Sequence, residues 1–442
     1  MTVKCFTVIV SVLLVVALLG GCGAQVPSES VTTTTVAKVN GTTSDVPLAG
    51  EPTADCVQTT PTGWTTSATG TARPTQTNVT STSGSTVSTS ASTAAKTTAA
   101  PTVHTLTPLA SSSYYGLCEL RKLPNGQVLA EVYQKIVDAV ENCQATVEIG
   151  ETLTESEMMT VFYHYYADYP QHFWCDSKMR YTVSQRTDKV VQLKLSYTMT
   201  GEALRRARAD FHKAVLSLLK IAETGNDEYE RELLLHDALA KRVTYQEGEN
   251  AHNAYGALVM GKAVCEGYAR AFQYLLYQAG IQCLMAEGNS INPFTGQSEG
   301  HAWNVVLIDG QYYHLDLTWD DTDDSRTPVV YPYFNLTTAQ IQENHTIRIE
   351  NSYDLPNCVA TANNFHVKNG TRLTECTVDG VARMLTKTTG DAHIYYVGGG
   401  QSFADWFNAN HNAVLKAMGI ERSYSFNMLF TGNEVVVRLT IA

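Results

Sequence analysis

The chain has 442 residues, is 44% hydrophobic and carries a formal net charge of −12. That acidity argues against nucleic acid as a partner and offers no basic strip for phosphates. No C-x-x-C pair occurs among its ten cysteines, which argues against a structural zinc site.

Residues 1–21 read as a signal peptide. Lys4 is the single positive charge, and the apolar run from Cys5 to Leu19 is too short to span a membrane comfortably. The run ends in Leu19-Gly20-Gly21-Cys22, which resembles the bacterial lipobox. Cleavage before Cys22 with lipidation of its sulfur is therefore expected, and two acyl chains there would anchor the protein stably to a membrane. Residues 22–112 are nearly all Thr, Ser, Ala, Val, Pro and Gly, with too few large apolar residues to offset ordering entropy. They are expected to form a disordered tether with an r.m.s. span of about 50–60 Å.

The remainder is expected to divide into an N-terminal α/β flank (113–200), a central core (201–364) and a C-terminal βαβ flank (365–442). In the first flank, Val128, Val132, Ile136 and Val140 form one stripe of a helix over Asn125–Asn142. A second helix is expected over Ser156–Ala167, followed by two strands in MRYTVSQ and KVVQLKLSYTM. The core opens with helices over Gly201–Ala222 and Asp227–Lys241. A third helix is expected over Cys265–Gln278, with Ala269, Phe272, Leu276 and Ala279 inward and Gly280 beyond its end. In the last flank the helix is expected over Phe403–Met418 and a closing strand over Val435–Ile441.

Cys265 would lie in the first turn of its helix, where unsatisfied amides favour a thiolate and could bind a developing oxyanion. Gly267 would leave the space beside the sulfur open. Downstream, Asp309-Gly310 separates two alternating apolar runs, a strong hairpin signal implying a type I′ turn. A two-residue loop pairs Ile308 with Gln311 and, counting outward, Trp303 with Asp316 and His301 with Thr318. His301 and Trp303 then share a strand face. His301 and Asp316 become diagonal neighbours with Cα atoms about 7–8 Å apart. A thiol needs a base to stay ionised, and the base needs a third group to orient it. Cys265, His301 and Asp316 supply those roles. Seven cysteines lie in the folded part, so at least one is expected to be unpaired unless Cys56 or another chain contributes; the bland alternative is a Cys265–Cys283 disulfide. His314 shares the Asp316 face and is expected to line the hairpin. Asn304 points to the other face as a structural hydrogen-bonder. Glu266 and Arg270 have the i, i+4 spacing of a helix-surface ion pair. Asp320, Asp321, Asp323 and Asp324 read as a solvated acidic turn, since an EF-hand's Gly and Glu are missing.

Taken together, Cys265-Glu266-Gly267-Tyr268-Ala269, Gly300-His301-Ala302-Trp303-Asn304 and Tyr313-His314-Leu315-Asp316 with Thr318-Trp319-Asp320 resemble the bacterial transglutaminase-like superfamily over about residues 252–321. A weaker likeness in YPYFNLTTAQIQENH and LPNCVATANNFHVKNG extends through Gly370. The resemblance implies an α+β, papain-like core: a helix-start cysteine packed on an antiparallel sheet that carries the histidine and the aspartate. It implies the triad Cys265, His301, Asp316, a protein or peptide substrate, and no metal or organic cofactor. The true transglutaminases resemble one another in having Trp directly after the cysteine; here that residue is Glu266. Peptide or amide hydrolysis is thus at least as well supported as crosslinking. Substrate or oxyanion contacts are expected from Trp303, Tyr255 and Gly267, with Asn253 a weaker candidate. The alternative is a surface binding module for a protein or glycan, with an idle triad.

Overall fold

The computed structural model describes residues 6–9, 103–291, 297–321, 329–348, 354–387, 391–420, 424–431 and 433–441. Cys22, most of the expected leader and tether, and Asp323 and Asp324 lie outside them. Phe6–Ile9 (β1) pairs antiparallel with a strand of the first sheet described below. Among the described residues no helix is long and apolar enough to cross a membrane.

The N-terminal flank builds Tyr115–Lys122 (α1) and Gly126–Glu141 (α2), then Thr146–Glu148 (β2) and Glu155–Asp168 (α3). The start of α3 is fixed by a capping box in which Thr154 and Glu157 satisfy each other's backbone amides. Lys178–Val183 (β3) and Val190–Lys194 (β4) complete a sheet ordered β1-β3-β4-β2. Gly201–Ala222 (α4) and Glu228–Ala240 (α5) follow; Asp227 caps α5 by accepting the amide of Glu230. One cluster of buried side chains runs without a break from Tyr114 to Phe334. The flank and the core therefore share an interior across the expected 200/201 boundary.

Thr244–Tyr245 (β5) and Lys262–Ala263 (β6) pair in parallel on either side of a π-helical turn at Gly256–Met260. They deliver the chain into Cys265–Gln278 (α6), whose bounds are those expected from the sequence. Gly280, at φ +82°, closes this helix: the Ile281 amide reaches the Leu276 carbonyl. Helix α6 lies on a sheet made by Cys283–Ile291 (β7), Ser298–Ile308 (β8) and Gln311–Leu315 (β9). Small Ala269 lets the helix settle against Met285 and Ala302. Asn304 Nδ2 then donates to the carbonyls of Ala269 (3.1 Å) and Leu284 (3.3 Å), tying helix to sheet. This is the structural role expected of it.

The β8–β9 hairpin has the expected register, Ile308 opposite Gln311 through Asn304 opposite Leu315. Asp309 and Gly310 both have positive φ, as a type I′ turn requires. Leu317–Asp320 (α7) and Thr338–Ile341 (α8) lead to His345–Ile347 (β10), which adds to β7 and makes the sheet order β10-β7-β8-β9. The expectation of an α+β core with its helix on an antiparallel sheet is met.

Phe365–Lys368 (α9), Arg372–Leu373 (β11), Val378–Lys387 (α10), Asp391–Tyr396 (β12), Gly400–Ala417 (α11), Tyr424–Thr431 (β13) and Glu434–Ile441 (β14) form the C-terminal unit. Its sheet, ordered β11-β12-β14-β13, has its own apolar interior built around Ile394, Phe403, Phe407 and Val435.

Candidate active site

Helix α6 starts at Cys265 after Val264, which offers no side-chain cap. The first-turn amides lack partners one turn back and carry the positive end of the helix dipole. Cys265 packs against Ala269, Met285 and Ala302 with its side chain half-buried. It is a free thiol, as is buried Cys283. The Cys265–Cys283 disulfide is thereby excluded. Of the seven folded-part cysteines Cys118 is disulfide-bonded and the other six are free.

His301 on β8 presents Nε2 to Asp316 Oδ2 at 2.7 Å. That leaves Nδ1 as the ring nitrogen that can face the Cys265 side chain, which acts on the charge of the imidazole. Burial opposes charge on His301, but the Asp316 carboxylate and the Cys265 contact outweigh it and raise the pKa to about 10. Asp316 is fully buried, which alone would raise its pKa, yet His301 and a second histidine hold it well below the usual carboxylate range. Its other oxygen, Oδ1, accepts the Thr318 amide at 3.1 Å, so Asp316 also caps α7. The three residues named from the sequence are thus brought together, each held by a different element.

The second histidine is His345, at the start of β10. Its Nε2 lies 3.2 Å from the same Asp316 Oδ2 that binds His301. Its Nδ1 is 2.7 Å from Asn344 Oδ1, and Asn344 Nδ2 donates to the Tyr333 hydroxyl at 2.7 Å. Trp303, Trp319 and Tyr333 enclose the imidazoles, with ring centroids 4.6–5.8 Å from that of His345. Sequence reasoning did not single out His345. A three-residue strand carries no readable alternation, and nothing in ENHTI marks its partner.

His314 is settled by its bonds. Its Nδ1 accepts from Trp303 Nε1 at 3.1 Å, and burial lowers its pKa to about 3. It is a neutral structural acceptor lining the hairpin.

Several expected contacts are corrected. Trp303 is 1% exposed and forms part of the floor under His301, so it cannot be a cleft wall that touches substrate. Gly267 does not leave open space: a Cβ there would sit 2.2 Å from the Ala251 carbonyl oxygen. It is glycine so that the chain before β6 can cross the helix start. Tyr255 packs on Phe173, and its hydroxyl feels the charge of Asp210 on α4. Asn253 spends its side-chain oxygen on the amides of Tyr255 and Gly256. It lines a cleft of about 150 Å³ between the flank and the core, and neither Cys265, His301 nor Asp316 lines that cleft.

A residue that does feel the thiol is Tyr245. Burial raises its pKa first, then the proximity of Cys265, Glu299, Glu247 and Asp316. Half-exposed and stacked beside Tyr268, it comes within electrostatic reach of Cys265 because β5 pairs with β6 just before α6 begins. A two-residue strand left no pattern by which to find it.

Glu266 and Arg270 form an ion pair at 2.8 Å, but a buried one, at 5% and 2% exposure. The guanidinium lies 3.9 Å over the Tyr166 ring, under the N-terminal flank. The i, i+4 spacing is the same for surface and buried pairs, and only the flank's packing tells them apart. Asp320 is likewise no solvated turn residue: fully buried, it bonds His236 Nε2 at 3.1 Å and the Tyr333 amide at 2.9 Å. Asp321 accepts the Tyr268 hydroxyl at 2.7 Å.

Among the described residues, the donor atoms of His301, Asp316 and His345 form a set close enough for a metal ion, all within 4.8 Å of one another. Two imidazoles and a carboxylate would suit a borderline divalent cation. Such an ion would replace the protons that now make the bonds at 2.7 and 3.2 Å.

Residues 218–317, which contain all three triad positions, match the family model of the transglutaminase-like superfamily and are a transglutaminase-like domain. The kyphoscoliosis peptidases of Mus musculus and Homo sapiens are each 36% identical over 87 residues, 17% of this chain and 13% of theirs. The chain therefore covers 13% of the length of these curated relatives. Among solved structures, a TGase crystal structure aligns over 29% of this chain and 41% of that one, at 15% identity and a TM-score of 0.23. The periplasmic domain of TgpA from Pseudomonas aeruginosa aligns over 30% and 55%, at 15% identity and a TM-score of 0.19.

Proposed function

We propose that the protein is a thiol-dependent enzyme that cleaves or transfers the acyl group of protein or peptide amides through a thioester on Cys265. The observation that carries this reading is the constellation itself: a free thiol at a helix start, within reach of an imidazole that a buried carboxylate holds. Cys265 as thiolate attacks the carbonyl carbon, and first-turn amides of α6 receive the oxyanion. His301 gives its proton to the leaving nitrogen as the C–N bond breaks. Water then attacks the thioester while His301 takes its proton, releasing the acid and restoring the thiol. A primary amine in place of water would complete a transamidation.

Hydrolysis is the favoured outcome. It is supported by Glu266 following the nucleophile and by the peptidase name of the curated relatives. The leader and Cys22 support an extracytoplasmic, membrane-anchored location with access to surface proteins or peptides.

The test is incubation with a complex peptide mixture and a labelled primary amine, followed by mass spectrometry. New peptide termini report hydrolysis, and amine incorporated at glutamine reports transamidation. Both should vanish in Cys265→Ala. Product formed equally by that variant, or none formed by the unaltered protein, would overturn the reading in favour of an idle binding module.

A further inference from the structure

We propose that His301, Asp316 and His345 form a binding site for a borderline divalent cation, zinc or a close equivalent, and that a bound ion switches the thiol–imidazole pair off. The donor atoms of the three side chains lie within 4.8 Å of one another. Asp316 Oδ2 is common to both imidazoles, 2.7 Å from His301 Nε2 and 3.2 Å from His345 Nε2. A separate observation points to a cation. Asn344 Nδ2 donates to the Tyr333 hydroxyl at 2.7 Å, which turns its Oδ1 toward His345. His345 Nδ1 donates to that oxygen, also at 2.7 Å. A neutral ring held this way carries its lone pair on Nε2, the nitrogen that faces Asp316. Two acceptors 3.2 Å apart repel unless positive charge lies between them. This is also the tautomer of a metal-ligating histidine, whose second nitrogen donates to a neighbouring oxygen. The side chains of the set are at most 3% exposed, and Trp303, Trp319 and Tyr333 enclose the rings, so bulk water does not relieve the repulsion.

The set needs little adjustment to take the ion. Tetrahedral zinc about 2.1 Å from each donor holds them about 3.4 Å apart, so His301 has to withdraw from Asp316 by under about 1 Å. Binding uses the Nε2 lone pair of His301, and the proton that Nε2 now gives to Asp316 leaves to solvent. The remaining ring proton is then on Nδ1, the nitrogen that can face Cys265. His301 has no lone pair left with which to accept a proton from the thiol, so the ion and the base exclude one another. This off state rests on the reading of Cys265 as a nucleophile; the binding itself does not.

The experiment adds cobalt(II), a spectroscopic stand-in for zinc, to the full chain and allows it time to reach a nearly closed site. The unaltered protein should show the visible bands of a low-coordinate cobalt centre, saturating at one equivalent and displaced by zinc. Cys265→Ala should keep them. Asn344→Ala, which removes the brace behind the ring, should weaken zinc binding about tenfold, and His345→Phe by at least about a hundredfold. The Asn344 variant keeps the test decisive if the Phe variant does not fold. Bands unchanged in both variants would overturn the proposal. So would bands that include a near-ultraviolet thiolate-to-cobalt transition and vanish in Cys265→Ala, since the ion would then sit on the sulfur. No binding at all would also overturn it, a second ring proton on His345 supplying the charge instead. Zinc should further stop peptide cleavage by the unaltered protein, and a chelator should restore it. Cleavage that continues in saturating zinc would overturn the off state. An unaltered protein that cleaves nothing would overturn the reading of Cys265 and the off state with it, while the cobalt bands still decide the metal site.

Discussion

Two carboxylates in this molecule are built almost alike. Asp316 in the core and Glu434 in the C-terminal unit are both fully buried, each bonded to two imidazoles and one backbone amide. At Glu434 the imidazoles take separate oxygens, His366 on Oε2 at 3.2 Å and His393 on Oε1 at 2.8 Å, and the Tyr331 amide comes across from the core at 2.7 Å. The far nitrogen of His366 is occupied by Thr371 Oγ1. At Asp316 both imidazoles crowd one oxygen, and the far nitrogen of His301 meets a thiol at a helix start. A buried carboxylate with two histidines is therefore a means of holding parts together as readily as a means of catalysis. What separates the two is the group at the end of the relay: a threonine hydroxyl in one case, a partly exposed nucleophile in the other.

Charge removal should break this likeness most sharply at Asp316. Asp316→Asn keeps the shape but removes the counter-charge that makes His301 a proton acceptor. Cys265 should then lose the base that activates it. Iodoacetamide alkylation at pH 6 should fall by about a hundredfold, and a fall of less than tenfold would show that Asp316 does not set the thiol's reactivity.

The matching change in the other cluster should act on stability alone. Glu434→Gln leaves two imidazoles and an amide around a neutral group at the seam between the core and the C-terminal unit. Loss of about 3 kcal/mol is expected in denaturant unfolding, with Cys265 alkylation unchanged. The effect has a pH signature. Burial would raise the Glu434 pKa, but His366 and His393 lower it to about 2. A depressed carboxylate pKa contributes stability above its unfolded value of about 4.5 and loses it as the pH falls toward about 2. The gap between unaltered protein and Glu434→Gln should thus be full at pH 6 and shrink steadily below pH 4.5. A gap that is constant from pH 6 to pH 3 would mean the charge of Glu434 is not what joins the two units.

The contrast also marks what the sequence could disclose. The bounds of α4 and α6 and the register of the β8–β9 hairpin follow from apolar period and one Asp-Gly turn, local signals that tertiary packing did not overrule. Because the register was legible, so was the approach of His301 to Asp316. His345 and Tyr245 were not, since each sits on a strand of two or three residues with no alternation to read. The burial of Glu266 and Arg270 depends on α3 arriving over them from a hundred residues away, with Arg270 Nη1 donating to the Tyr166 carbonyl. Glu434 lies among VVV and RLT as any strand-start glutamate might. Its partners come from α9, β12 and the segment before α8, so only the folded seam makes it special.

The smallest expected effect probes that seam from its outer side. His393 is the less buried of the two histidines at Glu434, with its side chain 16% exposed, and its ring packs 5.1 Å from that of Tyr331. His393→Phe keeps the ring packing and removes one donor from Glu434, which retains His366 and the Tyr331 amide. One hydrogen bond to a charged acceptor at a partly hydrated position is worth about 1 kcal/mol. Unfolding should shift by about that amount, and the Cys265 alkylation profile should not move at all. If His393→Phe did move it, the two carboxylates would be coupled through the hydrogen-bonded chain of Tyr331, Asp237, His236 and Asp320. The separation drawn here between a holding cluster and a reacting one would then fail.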